Sequence, residues 1–134
     1  MIFSQKITII RTNKPRSQNI NEELQWLGNS LGLFNIRDKD RSCFRIFIEL
    51  LKSAKRHEPI SSDELAYHLG LTRGTVVHHI NKLIDAGIVV PARNKYILRV
   101  DSLKGLIEEL KKDLSNTMKD LEEIAEGIDG AMKR

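Results

Sequence analysis

The stretch that decides the fold is Ile60–Arg99, ISSDELAYHLGLTRGTVVHHINKLIDAGIVVPARNKYILR. Ser61 and Ser62 are N-cap candidates, and Glu64 stands three residues after Ser61, the spacing of a capping box. Leu65, Ala66 and Leu69 form the apolar face of a short helix that Gly70 ends. Thr72 caps a second helix, and Val76, Ile80 and Leu83 fall on one side of it at i, i+4, i+7. Gly87 ends that helix. Two β-rich runs, Ile88–Ala92 and Lys95–Val100, flank Arg93-Asn94. Helix, tight turn, helix and hairpin predict a winged helix-turn-helix, whose second helix is shaped for the DNA major groove.

Outside this unit, Asn19–Leu33 reads as a helix through Ile20, Leu24, Leu27 and Leu31, with Gly32 near its end. The charged run Arg37–Arg41 offers Asp40 as an N-cap for an amphipathic helix over Arg41–Arg56, with Phe44, Phe47, Ile48 and Leu51 inward. His57-Glu58-Pro59 ends it, because proline disfavours helix at the residue before it. Gln5–Arg11, QKITIIR, is β-branched and is expected to form a short strand or arm. The expected class is therefore mainly α with a small β-hairpin wing (α+β). The domains expected are an arm over 1–18, a winged unit with its preceding helix over 19–100, and a C-terminal coiled-coil-like helix over 101–134.

That last helix is capped by Asp101 or Ser102. Leu103, Ile107, Leu110, Leu114, Thr117, Leu121, Ile124 and Ile128 then recur at alternating steps of four and three, an a/d heptad seam. The seam must be buried, either against a second copy of the chain or against the protein's own N-terminal helices. Self-association into a homodimer is favoured, because the repeat outruns what one small domain covers.

Charge narrows the partner. The 134 residues carry a net +4. Residues 1–60 hold 11 Lys/Arg against 6 Asp/Glu, residues 61–100 hold 5 against 3, and residues 101–134 hold 6 against 9. The basic charge therefore lies in the first hundred residues, which favours an anionic partner there.

The second helix of the winged unit, over 72–86, supplies candidate contacts to double-stranded DNA. With Val76, Ile80 and Leu83 inward, Gly74, Thr75, His78, Asn81, Lys82 and Asp85 face away, with Arg73 and Val77 on the flanks. Arg73, near the helix start, suits a bidentate contact to guanine. Thr72 and Thr75 suit phosphate or base, Val77 and the Thr75 methyl suit a thymine methyl, and Gly74 permits close backbone approach. Lys82 suits phosphate. His78 points outward, and His79 is expected to hydrogen-bond inside the domain. Arg93, Asn94 and Lys95 form a wing tip suited to the DNA backbone or minor groove.

Thr72–Leu83, followed by Ala86-Gly87-Ile88-Val89, resembles the recognition helix and first wing strand of ArsR/MarR-like winged-helix regulators. The segment Arg37–Phe47, with Cys-Phe-Arg-Ile-Phe after a charged run, is similar to archaeal ArsR-related predicted regulators. The resemblance implies a dimer on a pseudo-palindromic operator. It does not carry metal or arsenic sensing, because the Cys-x-Cys helix motif of those members is missing and the lone Cys43 precedes the winged unit.

No cofactor and no metal are expected: the four His have no zinc-site spacing. Cys43, in an apolar run, reads as a buried hydrophobe. No Gly-rich phosphate loop and no nucleophile–base arrangement is evident, so an enzyme is not expected. No apolar run reaches the span of a bilayer, and Met1-Ile2-Phe3 leads directly into polar residues, so a cytoplasmic regulator is expected. Winged helices also serve as protein-docking modules, which is the competing expectation.

Overall fold

The computed structural model describes residues 4–16, 18–35, 37–38 and 40–134. Met1, Ile2 and Phe3, and Lys39 of the charged run, lie outside the described residues. The order is α1 (Ile20–Ser30), α2 (Ser42–Lys55), α3 (Ser62–Leu69), α4 (Arg73–Asp85), β1 (Val89–Ala92), β2 (Lys95–Leu98) and α5 (Leu103–Met132). This is a winged helix-turn-helix with a preceding helix and a long C-terminal helix.

α2 is the central post. Its Ile46, Phe47 and Leu50 are fully buried, and around them close Leu65 of α3, Val76, Ile80 and Leu83 of α4, Val89 and Leu98 of the hairpin, and Leu106 of α5. Each such side chain contributes about 1.5–3 kcal/mol of burial, so the apolar stripes read from sequence are what fix the helices. β1 and β2 pair antiparallel from Val89↔Leu98 to Ala92↔Lys95. A third contact widens this ribbon: Ile60 exchanges both backbone hydrogen bonds with Tyr96, at 2.9 and 2.8 Å. The residue that leads into α3 is thereby stitched to the wing.

The caps show why the elements stop and start where they do. Ser61 accepts from the Glu64 N–H at 3.1 Å, and Thr72 from the Thr75 N–H at 3.2 Å. Ser102, rather than Asp101, caps α5 through the Gly105 N–H. Gly70 closes α3 in the left-handed region at φ +66°. Asp40 does not cap α2. The chain turns at Arg41, which is itself left-handed at φ +53°, and brings Asp38 over the helix start instead. The Asp38 carboxylate accepts from the Ser42 and Cys43 N–H groups at 3.0 and 3.1 Å. α1 is also shorter than the apolar repeat predicts: Asn19 is its cap, and Leu31–Leu33 form a terminal turn in which the Leu33 N–H reaches the Gly28 carbonyl.

Gln5–Arg11 is not a strand. It runs along the domain with no ladder partner, and its backbone donates to two different helix ends: Lys6 N–H to the Asp85 carbonyl at 2.9 Å and Ile10 N–H to the Ser30 carbonyl at 2.8 Å. β-branched residues favour an extended chain, but a strand needs a neighbouring edge, and the β1–β2 ribbon does not extend to this segment.

The arm, α4 and α5 meet at one polar node. Gln5 Nε2 donates to the Ala86 carbonyl at 3.0 Å and to Asp113 Oδ2 at 2.8 Å. Arg99 Nη1 reaches the same Asp113 oxygen at 2.6 Å, and Arg99 Nη2 lies 3.4 Å from Glu109. The Arg99 hydrogen bond, with help from Gln5, outweighs burial and holds the Asp113 carboxyl below its ordinary range. Gly87 is required here by its backbone, since φ is +80°, and a Cβ would also displace the Gln5 amide from the node. This node fixes the angle at which α5 leaves the winged unit.

Candidate nucleic-acid interface

α4 buries Val76, Ile80 and Leu83 along one side, as the periodicity predicts. Its opposite side carries exposed Arg73, Gly74, His78, Asn81 and Lys82. Thr75 and Val77 are half-buried, and Thr72 is exposed. The Thr72 hydroxyl is engaged twice, since it also bonds the Thr75 hydroxyl at 2.9 Å. Among the described residues a Cβ at Gly74 would meet nothing within 4 Å, so the backbone there is open to close approach by a ligand.

The hairpin tip lies beside the same surface. Arg93, Asn94 and Lys95 are all exposed, and Arg93 takes the left-handed conformation at φ +55° that the two-residue turn demands. Two carboxylates of the first turn of α3 link tip and helix, and sequence reasoning assigned them no part in this surface. Arg73 Nε lies 3.5 Å from Asp63, and Lys95 Nζ lies 3.7 Å from Glu64. Arg73 and Lys95 therefore stand on either side of one helix start, on one continuous face. Glu64 stays ionised, because the Ser61 hydroxyl and the Lys95 charge lower its pKa. The only sequence sign of this was the capping-box spacing, which fixed Glu64 locally but not its reach to the wing.

His79 departs from its expected role. It is buried, but its Nδ1 has no hydrogen-bond partner among the described residues, and its Nε2 lies 3.8 Å from Asp38, beyond hydrogen-bond length. Burial lowers its pKa, and the Asp38 charge only partly opposes this, so the ring is neutral near pH 7. Asp38 is pushed up by burial but pulled below its ordinary value by the Cys43 and Ser42 N–H groups and by His79. His79 therefore packs, and His78 alone of the pair faces outward. Cys43 is buried and its thiol is pushed up to about 11 by desolvation and by Asp38, which leaves it unreactive.

The residues of the heptad seam divide into two groups. Leu110 is buried against the chain's own domain, and Leu103 and Leu114 are half-buried. Ile107, Thr117, Leu121, Ile124 and Ile128 are exposed. Leu106, outside the heptad seam, is fully buried: the domain takes the side of α5 through Leu106 and Leu110 and leaves the rest open. No helix among the described residues is long and apolar enough to cross a membrane.

A family model described as a helix-turn-helix domain matches residues 40–91, from the approach to α2 through most of β1. The match covers less than half of the chain and falls on the elements that carry the exposed face of α4. It supports a winged helix-turn-helix regulator with DNA as its partner. No curated protein and no solved structure matches the chain.

Proposed function

We propose that this chain is a homodimeric, sequence-specific DNA-binding transcriptional regulator, a repressor of the ArsR/MarR-like kind and nearest to its archaeal ArsR-related members. It acts in the cytoplasm, and it acts by binding rather than by catalysis. α4 enters the major groove, where Arg73 reads guanine, Thr72, Thr75 and Val77 make the neighbouring contacts, and His78 and Lys82 face base or phosphate. Arg93, Asn94 and Lys95 contact the backbone or minor groove beside it. The observation that carries this reading is the continuous face formed by the open start of α4, with uncovered backbone at Gly74, and the basic wing tip.

Selection of bound sequences from random duplexes tests it. A recovered two-fold motif is expected, with the preference at one position lost in Arg73→Ala. Wild-type protein that enriches no sequence at moderate salt would remove the regulator reading.

One observation favours a second reading, a protein-docking module. Asp63 and Glu64 sit on the proposed DNA face and partly neutralise it. Under that reading Arg73→Glu leaves DNA retention unchanged; under the favoured one it abolishes it.

A further inference from the structure

The distal half of α5 has no cover among the described residues. Met118, Leu121, Ile124, Ile128 and Met132 recur at helical spacing and are 53%, 57%, 65%, 54% and 79% exposed. An apolar stripe this long on a helix that leaves its own domain is a docking surface. The chain also carries an unfilled apolar groove. It lies between the arm and the proximal half of α5, with Ile9, Leu31, Ile107, Leu114 and Met118 in its walls and Lys111 on its rim.

We propose that in the dimer the two α5 helices run antiparallel, so that the distal stripe of each seats in the groove of the other. The proposal rests on the dimeric reading above and adds the groove and the orientation.

Charge decides the orientation. Residues 119–132 hold one Lys against five Asp/Glu, net −4. Residues 103–118 hold three of each and are neutral. The arm over 4–16, which supplies Ile9 to the groove, holds four Lys/Arg and no acid. A parallel pair sets −4 beside −4 along the whole distal half, and like charges at close range oppose association. An antiparallel pair sets each −4 segment beside a +4 arm.

Length agrees. A 30-residue helix spans about 45 Å, and its two halves are equal, so the distal half of one copy covers the groove-bearing half of the other. Opposing Ile107 to Ile128 of the partner subunit puts the two-fold axis beside Thr117 and Met118. Lys111 then falls about 3 Å along the axis, two residues, from the level of Glu122 of the partner subunit. A two-fold interface has to be self-complementary, and stripe-to-groove meets that condition with one surface.

Cross-linking of the full chain tests the orientation. Met118→Cys, beside the axis, is expected to give a covalent dimer under mild oxidation. Ile124→Cys is expected to give almost none, because antiparallel pairing leaves the two sulfurs roughly 20 Å apart and a disulfide needs Cα atoms within about 7 Å. Cys43 is buried and does not compete. Efficient cross-linking of Ile124→Cys would overturn the proposal in favour of a parallel pair. Failure of both variants in a protein that sediments as a dimer would overturn it as well.

Glu122→Lys supplies an independent sign. Antiparallel pairing predicts a dimer dissociation constant raised about threefold, restored when Lys111→Glu is added. A parallel pair predicts the reverse, a tighter dimer in the single variant. Wild type that sediments as a monomer at high micromolar concentration would defeat the dimeric reading itself.

Discussion

Two helices of this chain leave a long side open to solvent, and their chemistry is opposite. α4 shows Arg73, Gly74, His78, Asn81 and Lys82 outward while its other side is locked by Val76, Ile80 and Leu83. The distal half of α5 shows Leu121, Ile124 and Ile128 outward and buries nothing behind them. The first is a finished surface on a rigid mount, ready for a polar partner. The second is incomplete as a single chain and depends on what covers it.

The largest effects follow from the buried side of α4. Ile80→Ala is expected to cost about 2–4 kcal/mol in denaturant unfolding, from lost transfer energy and the cavity left in the core. Ile124→Ala is expected to change unfolding of dilute protein by under about 0.5 kcal/mol. It should instead weaken association, read by sedimentation. Equal losses of folding stability at the two positions would erase the contrast between them.

Next in size is the DNA face. Arg73→Ala is expected to cost about 1–3 kcal/mol on preferred DNA and to relax one base position. Lys95→Ala is expected to weaken all sequences alike and lower the salt slope by about one. A uniform loss in Arg73→Ala would reassign that residue to phosphate.

The node between the two helices should matter at an intermediate level. Asp113→Asn removes the charge from a carboxylate that binds Arg99 and Gln5. A loss of about 1–2 kcal/mol is expected, in line with hydrogen bonds to charged groups. Because the folded-state pKa of Asp113 is lowered, this stability is present above the ordinary aspartate range and fades as pH falls through the folded value. His79 has the same direction at higher pH. Its pKa is also lowered, so the unfolded chain takes up the proton first. Stability is complete above about 6.5 and declines below it. His79→Leu should flatten that decline in thermal unfolding, and it also removes a buried nitrogen with no partner among the described residues. A decline unchanged in this variant would place the titrating group elsewhere.

How far the sequence reached follows the same divide. Ile60–Arg99 was legible because its information is local: caps, terminal glycines and an i, i+4, i+7 stripe are set by neighbours in sequence, and each was found in place. What stayed hidden depends on contacts far apart in the chain or on a backbone turn that no side chain announces. The arm at Gln5–Arg11 has strand-forming residues, but its partners are the ends of α4 and α1. Asp38 replaced Asp40 as the cap because a left-handed turn at Arg41 decided which carboxylate reached the helix. In α5 the heptad seam is a feature of the sequence, yet Leu106 outside it is the residue driven fully inward, because the domain wall rather than the repeat selects the buried side. At the interface, the pairing of Arg73 and Lys95 with Asp63 and Glu64 joins three elements and has no local sign.

The smallest stability change gives the sharpest test of the finished surface. Gly74 lies in the first turn of α4, and a Cβ there would touch nothing among the described residues. Alanine is the better helix former by about 0.5–1 kcal/mol in a helix interior, so Gly74→Ala should leave the fold unchanged or slightly more stable. If the uncovered backbone meets a DNA groove, the same methyl group stands between protein and ligand, and affinity should fall while stability rises. If affinity follows stability upward, Gly74 lies outside the contact and α4 approaches its partner through Arg73 and Lys82 alone. No residue of the distal α5 stripe offers this separation: there, any substitution that weakens binding acts by removing apolar surface.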